Sequence, residues 1–231
     1  MLLINNLEFS YKKESELIKN LDLKLNSNEI HGLVGLNGSG KTTFLNLIFG
    51  NLKPFSGEII FNDKPVTKSD IAFLETENFF YSKITGAEYL EIFRFSNKKF
   101  NIADWNYIFK LPLDTLIENY STGMKKKLAI MSVLSFDKPI YLLDEPFNGI
   151  DLETNQVIKN ILFKLKEHGK TLIITSHIFE ILQTSCDTIS FLNNKKIEFT
   201  KRKEDFHEVE NDIFKTLNSD NESNLSKLFG E

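Results

Sequence analysis

Short apolar runs alternate with amphipathic segments along much of the chain. Glu29–Val34 is typical of a buried strand, and Thr43–Phe49 has the composition of a short helix. Two further apolar runs, Pro139–Asp144 and Lys170–Thr175, end in polar residues, as strands buried on both faces do. Leu152–Glu167, which lies between them, has helical periodicity. This order of strand, helix and strand predicts a parallel sheet with helices on its faces.

The remaining segments predict smaller units beside that sheet. Leu2–Ile4 and Leu7–Phe9 indicate an opening pair of strands that ends at Tyr11, and Ser56–Pro65 indicates a hairpin with an Asn-Asp turn. Residues 79–119 are rich in aromatic and charged residues at helical spacing, which predicts a helical insertion. The predicted fold class is therefore α/β, with a mainly parallel sheet, a small antiparallel β-subdomain and a helical insertion.

Composition narrows the possible partners. The chain has 231 residues, of which 41% are hydrophobic, and its net charge of −4 argues against a broad face that binds nucleic acid. Its single cysteine, Cys186, cannot form an internal disulfide, and we interpret it as structural. The first residues lack the basic region of a signal peptide, and no window has the ~18 apolar residues of a membrane span. We therefore expect any function at a membrane to require a separate spanning protein.

The strongest chemical signal is a phosphate-binding pattern between the predicted strand and helix near residue 40. It consists of Gly35, Leu36, Asn37, Gly38, Ser39, Gly40, Lys41 and Thr42, which match G-x-x-x-x-G-K-[ST]. Its glycines allow backbone N–H groups to face one anion, and the following helix adds partial positive charge. We expect Lys41 to reach the β- and γ-phosphates and the Thr42 hydroxyl to bind Mg²⁺. A chance glycine-rich turn is the alternative, and the strand and helix around the pattern favour nucleoside triphosphate binding.

Polar residues at the ends of the two later strands supply candidate catalytic groups. Asp144 is placed to hold Mg²⁺ opposite Thr42, and Glu145 to accept a proton from the attacking water. Two acids after an apolar run are a common strand end, so this signal depends on the phosphate loop upstream. His177 follows the next strand, where an imidazole would contact the γ-phosphate. The other histidines, His31, His168 and His207, are interpreted as surface loop residues.

A second candidate anion site begins at Ser121. Ser121 and Gly123 form a Ser-x-Gly pattern at the start of a predicted helix, so a hydroxyl, backbone N–H groups and the helix dipole point the same way. The local alternative is an N-cap followed by the solvated basic turn Lys125–Lys127. From these residues alone, that alternative is the better interpretation.

Taken together, the motifs resemble those of nucleotide-binding subunits of ATP-binding cassette (ABC) transporters, in the same order, from about Leu2 to Lys203. Tyr11 matches the aromatic residue that stacks on adenine, residues 35–42 match the Walker A loop, and Thr43 follows as a further nucleotide-binding residue. The signature motif is matched by Ser121, Thr122, Gly123 and Met124. Tyr141–Asp144 with Glu145 matches Walker B and its catalytic glutamate. Residues 148–151 match the D-loop, where Asp151 is assigned to the nucleotide, and His177 matches the switch histidine.

This resemblance implies ATP and Mg²⁺ as cofactors and a head-to-tail dimer, either a homodimer or a paired cassette. In that dimer the signature of one subunit covers the ATP on the Walker A loop of the other. It also implies a separate transmembrane permease, and hence a cytoplasmic location on the inner face of the membrane. Residues 1–203 would form the ATPase domain, with a helical subdomain at about 79–125. Phe206, Val209, Ile213, Phe214 and Leu217 predict a short helix within the tail at 204–231.

Two positions depart from the family pattern. Thr76 stands where a glutamine usually contacts Mg²⁺, with Glu75 and Glu77 as possible substitutes, and Thr122 replaces the first glycine of the signature. The main functional alternative is an ABC ATPase that regulates a membrane or cell-wall complex without transport. A nucleotide-binding regulator that does not hydrolyse ATP is disfavoured, because Lys41, Glu145 and His177 are all present.

Overall fold

The computed structural model describes residues 1–12, 16–94, 97, 99–213 and 215. The strands are β1 (Leu2–Ser10), β2 (Glu16–Leu25), β3 (Ile30–Val34), β4 (Ser56–Phe61), β5 (Lys64–Pro65), β6 (Ile71–Leu74), β7 (Ile140–Leu143), β8 (Thr171–Thr175), β9 (Thr188–Asn193) and β10 (Lys196–Arg202). The helices are α1 (Lys41–Phe49), α2 (Gly86–Arg94), α3 (Ile102–Phe109), α4 (Thr122–Leu134), α5 (Leu152–Glu167) and α6 (Phe179–Ser185), with three short 3₁₀ turns. Residues 206–213 are also helical.

Among the described residues, the larger sheet has the order β10-β9-β3-β8-β7-β6 and is parallel except for β10. The predicted β7-α5-β8 crossover is present, and β7 and β8 are adjacent. Along β7, Tyr141 and Leu143 face one hydrophobic core, while Ile140 and Leu142 face the other. Burial on both faces explains why these strands are continuous apolar runs. Parallel strands bring the residues that follow them to one edge of the sheet.

The smaller antiparallel sheet has the order β2-β1-β4-β5. Residues 2–10 form one continuous strand, so the predicted opening pair is wrong. The pairing register shifts between Ile4 and Leu7, and Asn6 has a φ of 48° and donates its N–H to Asp22 Oδ1 (2.8 Å). The polar residues at this point mark a bulge rather than a turn. The predicted β4–β5 hairpin is present, with φ of 48° at Asn62 and 64° at Asp63, as a tight hairpin turn needs.

The helical insertion is also present, as α2 and α3. Its aromatic residues are divided between core and surface. Tyr89, Phe100 and Phe109 are buried, while Phe79 and Tyr107 are exposed. Phe95, another aromatic residue of the predicted insertion, lies outside the described residues.

The described residues 206–213 after β10 lie against the larger core, and the short helical tail at 204–231 stays a prediction. Phe206 and Val209 are buried in the larger core and Ile213 packs against it, whereas Phe214 and Leu217 lie outside the described residues. Cys186 follows α6 and is buried. Within the described part of the chain, none of the helices combines the length and the apolar character needed to cross a bilayer.

Candidate nucleotide site

The phosphate loop connects β3 to α1 in a conformation that requires glycine. Gly40 has a φ of 103°, in the left-handed region. A Cβ atom at Gly35 would lie 2.5 Å from the carbonyl oxygen of Leu192 on β9, which is too close for any side chain. Helix α1 then begins at Lys41, so its unpaired N–H groups lie at the loop. These features are those of a backbone anion site.

The Lys41 ammonium lies inside this loop. It donates to the carbonyl oxygens of Gly35 (2.7 Å) and Leu36 (3.2 Å). Burial lowers the pKa of Lys41, and the nearby carboxylates of Glu145 and Asp144 oppose that shift. A cation is therefore held between the loop and the acids that follow β7.

Asp144 is the centre of a hydrogen-bond network of threonine hydroxyls. Its Oδ2 accepts from Thr42 Oγ1 and from Thr76 Oγ1, each at 2.7 Å. Its Oδ1 accepts from Thr175 Oγ1 at 2.5 Å. Asp144 is only 1% exposed, so these hydroxyls, rather than water, satisfy its carboxylate. The structure thus brings together the three residues predicted to hold the metal.

This donor set fits Mg²⁺. Magnesium takes oxygen ligands and is commonly held by one or two carboxylates together with substrate phosphates. Thr42, Thr76 and Asp144 supply two hydroxyls and one carboxylate beside the phosphate loop. Among the described residues, no group of three or more His, Cys, Asp or Glu side chains forms an alternative metal site.

The two predicted catalytic residues contact each other. His177 Nδ1 lies 3.0 Å from Glu145 Oε2. Glu145 has a φ of 49°, which is strained for a residue other than glycine, and its N–H donates to Thr175 Oγ1 (2.9 Å). This conformation of the turn after β7 places Glu145 in the lining of the same cavity as the phosphate loop.

These groups line one cavity of about 560 Å³. Its lining residues are Leu17, Asn37, Gly38, Gly40, Lys41, Thr42, Thr43, Thr76, Asp144, Glu145, Asn148 and His177. Sequence reasoning missed Leu17, which comes from the unpredicted strand β2 and lies over Gly40. It also missed Asn148 as a lining residue, although this residue was placed in the D-loop. Gly35, Leu36 and Ser39 belong to the loop but are not among the residues that line the cavity.

Tyr11 lies at the entrance of this site. Its ring is 64% exposed, and its hydroxyl is 3.2 Å from Thr43 Oγ1, which lines the cavity. The ring packs edge-on against Phe9, with centroids 5.0 Å apart. An exposed ring supported from one side has the arrangement that an adenine-stacking residue needs.

The signature residues form a separate surface. Ser121 caps α4, since its Oγ accepts from Met124 N (3.2 Å), and Thr122 is exposed. Gly123 lies against Gly149, because a Cβ on it would be 3.2 Å from the Gly149 carbonyl oxygen. The described residues that line the cavity do not include Ser121, Thr122, Gly123 or Met124.

Asp151 is also outside the cavity. It caps α5 by accepting from Thr154 N (2.8 Å), and it pairs with Lys127 (3.6 Å). The hydrogen bonds from Thr154 lower the pKa of Asp151. Its assignment to the nucleotide remains a prediction.

Two sequence interpretations are wrong. The turn Lys125–Lys127 is not fully solvated, because Lys126 is 7% exposed and its ammonium donates to the Asp144 carbonyl oxygen (3.5 Å). Burial lowers the pKa of Lys126. His31 is not a loop residue either, since it lies on β3 and is fully buried.

Comparison with protein families gives a match over residues 18–148 to the family described as ABC transporter. This match agrees with the phosphate loop, the Asp144 network and the separate signature surface. The chain belongs to the ABC transporter family. It is 32% identical over 192 residues to the ABC transporter ATP-binding protein YtrB of Bacillus subtilis (strain 168), covering 79% of this chain and 66% of YtrB. It is 28% identical over 214 residues to the putative ABC transporter ATP-binding protein AlbC of the same organism, covering 84% of this chain and 89% of AlbC.

Solved ABC cassettes share the fold. A dimeric ATP-binding cassette in a post-hydrolysis state with ADP and Pi aligns with a TM-score of 0.79 at 23% identity, covering 88% of this chain and 99% of the cassette. An ATP-binding subunit of an ABC transporter aligns with a TM-score of 0.78 at 22% identity, covering 89% and 91%. The predicted family, ABC ATPase fold and ATPase class are confirmed.

Proposed function

We propose that this ABC ATPase binds Mg·ATP and hydrolyses it as one half of a head-to-tail dimer that drives a separate membrane permease. The observation that carries the proposal is the separation of two anion-binding surfaces on one chain. One is the cavity at the phosphate loop, and the other is the exposed start of α4 at Ser121. The single chain does not bring them together, and a head-to-tail arrangement of two chains is the proposed way to do so.

The start of α4 is suited to a phosphate on another subunit. Ser121 Oγ already satisfies the N–H of Met124, and the N–H groups of Thr122 and Gly123 belong to the first turn, which has no partners within a helix. Thr122 is exposed, so an incoming anion can reach this turn. The side chain at position 122 points outward, which is why threonine in place of the usual glycine leaves the Ser-x-Gly arrangement intact.

Within the cavity, each residue has a distinct task. Lys41 binds the β- and γ-phosphates, and Tyr11 stacks on adenine. Thr42, Thr76 and Asp144 hold Mg²⁺, which when bound would neutralise phosphate charge. Glu145 accepts a proton from the attacking water, and His177, 3.0 Å away, orients that carboxylate.

Exposed aromatic residues support contact with a membrane partner. Phe79 is 75% exposed and Tyr81 is 53% exposed, and their rings pack edge to face with centroids 5.3 Å apart. Both follow Thr76 closely in sequence, so a partner bound here would lie next to the metal-binding residues. We place the cassette on the inner face of the membrane through this contact, and its dimer partner is a second copy or a paired cassette.

The test uses two cassettes joined by a flexible linker. Lys41→Ala and Ser121→Arg on the same subunit damage both composite sites, while one change on each subunit damages one site and leaves the other intact. The split arrangement should keep a substantial part of wild-type phosphate release, and the same-subunit arrangement should lose nearly all of it. Equal activity of the two arrangements, with dimerisation confirmed by size-exclusion chromatography, would contradict the composite site.

A further inference from the structure

We infer that Thr175 is a positioning residue whose hydroxyl fixes both acids of the site, Asp144 and Glu145. This inference rests on the proposed function, because it gives Thr175 a part in the same hydrolysis. Thr175 is the last residue of β8, between β3 and β7, and is fully buried. It does not line the cavity, so it acts through its neighbours rather than on the nucleotide.

The direction of its two hydrogen bonds is determined by chemistry. A carboxylate oxygen only accepts, so the single hydroxyl proton of Thr175 donates to Asp144 Oδ1 at 2.5 Å. A backbone N–H only donates, so the hydroxyl oxygen accepts from Glu145 N at 2.9 Å. One hydroxyl therefore ties the side chain of Asp144 to the backbone of Glu145.

The first bond sets the orientation of the Asp144 carboxylate. With Oδ1 held by Thr175, Oδ2 faces the phosphate loop and accepts from Thr42 and Thr76. A carboxylate without this anchor can rotate about its last bond and lose the shared contact with the two hydroxyls. The metal-binding oxygens are thus aligned from behind by a residue that does not touch the metal.

The second bond stabilises the strained turn at Glu145. Because β7 ends at Leu143, the N–H of Glu145 has left the sheet, and Thr175 Oγ1 is its acceptor. Glu145 has a φ of 49°, which only surrounding interactions can maintain. The same turn directs the Glu145 carboxylate to His177, which lies two residues after Thr175. Strand β8 therefore places the histidine and fixes the acid that it contacts.

The experiment compares Thr175→Val, which keeps the shape of the side chain and removes the hydroxyl, with Thr171→Val as the matched control. Thr171 lies at the other end of β8, is 1% exposed, and its Oγ1 has no hydrogen-bond partner among the described residues. Thr171→Val should keep wild-type phosphate release. Thr175→Val should lower kcat by about 10- to 100-fold, as loss of an outer partner of a metal site does, and should also raise the Mg²⁺ concentration needed for half-maximal rate. KM for ATP should change far less, because the phosphate loop is untouched.

A second pair of variants separates loss of the hydroxyl from loss of folding. Thr175→Ser retains the hydroxyl, and Thr175→Ala removes it from a side chain of nearly the same size as serine. The serine variant should therefore have most of the wild-type rate, and the alanine variant should not. If the wild-type chain neither binds ATP nor releases phosphate, the proposed function fails. If the wild-type chain binds ATP without turnover, the quantity compared between variants is the increase in ATP affinity on adding MgCl₂. Thr175→Val should reduce this increase, and Thr171→Val should leave it unchanged. The inference is overturned if the wild-type chain is active and Thr175→Val behaves like Thr171→Val, or Thr175→Ala behaves like Thr175→Ser. Either result leaves the proposed function standing.

Discussion

Acid should destabilise this cassette through His31, a buried histidine that does not line the nucleotide cavity. The His31 ring is enclosed on β3, and its Nδ1 lies 2.7 Å from Thr188 Oγ1. Thr188 donates its own proton to Glu29 Oε1, so its oxygen accepts from His31 and the histidine proton is on Nδ1. Nε2 is buried and has no hydrogen-bond partner among the described residues. Protonation of Nε2 would create a cation with no acceptor on that side.

Burial lowers the pKa of His31 from 6.5 to about 3. The unfolded chain therefore binds this proton near pH 6.5 while the folded chain does not, and stability falls as pH falls below the unfolded value. A pH of about 5 lies about 1.5 units below the pKa of the unfolded histidine, so protonation stabilises the unfolded chain there. The free energy of unfolding is therefore ~2 kcal/mol lower than at about pH 8. This figure is nearly the same for any folded pKa below about 4, because the folded histidine is then still neutral.

The assay is urea unfolding of the wild type and of His31→Asn at about pH 8 and about pH 5. Asparagine can place an N–H near Thr188 but does not titrate. Between about pH 8 and about pH 5 the variant should therefore lose ~2 kcal/mol less unfolding free energy than the wild type. His168→Asn, which removes a histidine at the exposed end of α5, is the control and should keep the wild-type difference. An identical pH difference in the wild type and His31→Asn would refute the reasoning.

Two further outcomes follow from the site and the core. Glu145→Gln keeps the size of the side chain and removes the base, so it should not release phosphate. With saturating Mg·ATP it should accumulate as a dimer in size-exclusion chromatography. A monomer with normal turnover would contradict both the role of Glu145 as base and the ATP-dependent dimer. Burial raises the pKa of the Cys186 thiol well above its ordinary value, so a thiol reagent should label the native chain slowly and the urea-unfolded chain quickly, and rapid native labelling would contradict the placement of α6.

The parts that sequence predicted are those encoded by neighbouring residues. The phosphate loop is a contiguous pattern, and the strand before it and the helix after it are predicted by their periodicity. The β7-α5-β8 crossover is similarly local. Because parallel strands end at one edge of the sheet, the strand pattern alone is enough to expect Asp144 and His177 near the loop.

The parts that sequence missed depend on residues distant in the chain. A run of three lysines predicts a solvated Lys126, but α4 packs so that its ammonium reaches the Asp144 carbonyl. His31 is buried because Thr188, 157 residues away, occupies the adjacent strand. Strands β2, β9 and β10 carry mixed polar and apolar residues, so their pattern is weaker than the continuous apolar runs of β7 and β8. Only tertiary packing distinguishes these cases.

Thr76 shows how the two kinds of information combine. The sequence marks it as a departure from the family, since threonine is shorter than glutamine, and the flanking acids Glu75 and Glu77 were possible substitutes. The structure leaves both glutamates exposed and outside the cavity lining, and places Thr76 Oγ1 at 2.7 Å from the same Asp144 oxygen that accepts from Thr42. A short side chain is sufficient because Asp144 gathers both hydroxyls at one oxygen. Thr76 therefore supplies an oxygen donor beside Asp144, as the proposed Mg²⁺ site requires, and what the shorter side chain removes is reach toward groups beyond Asp144.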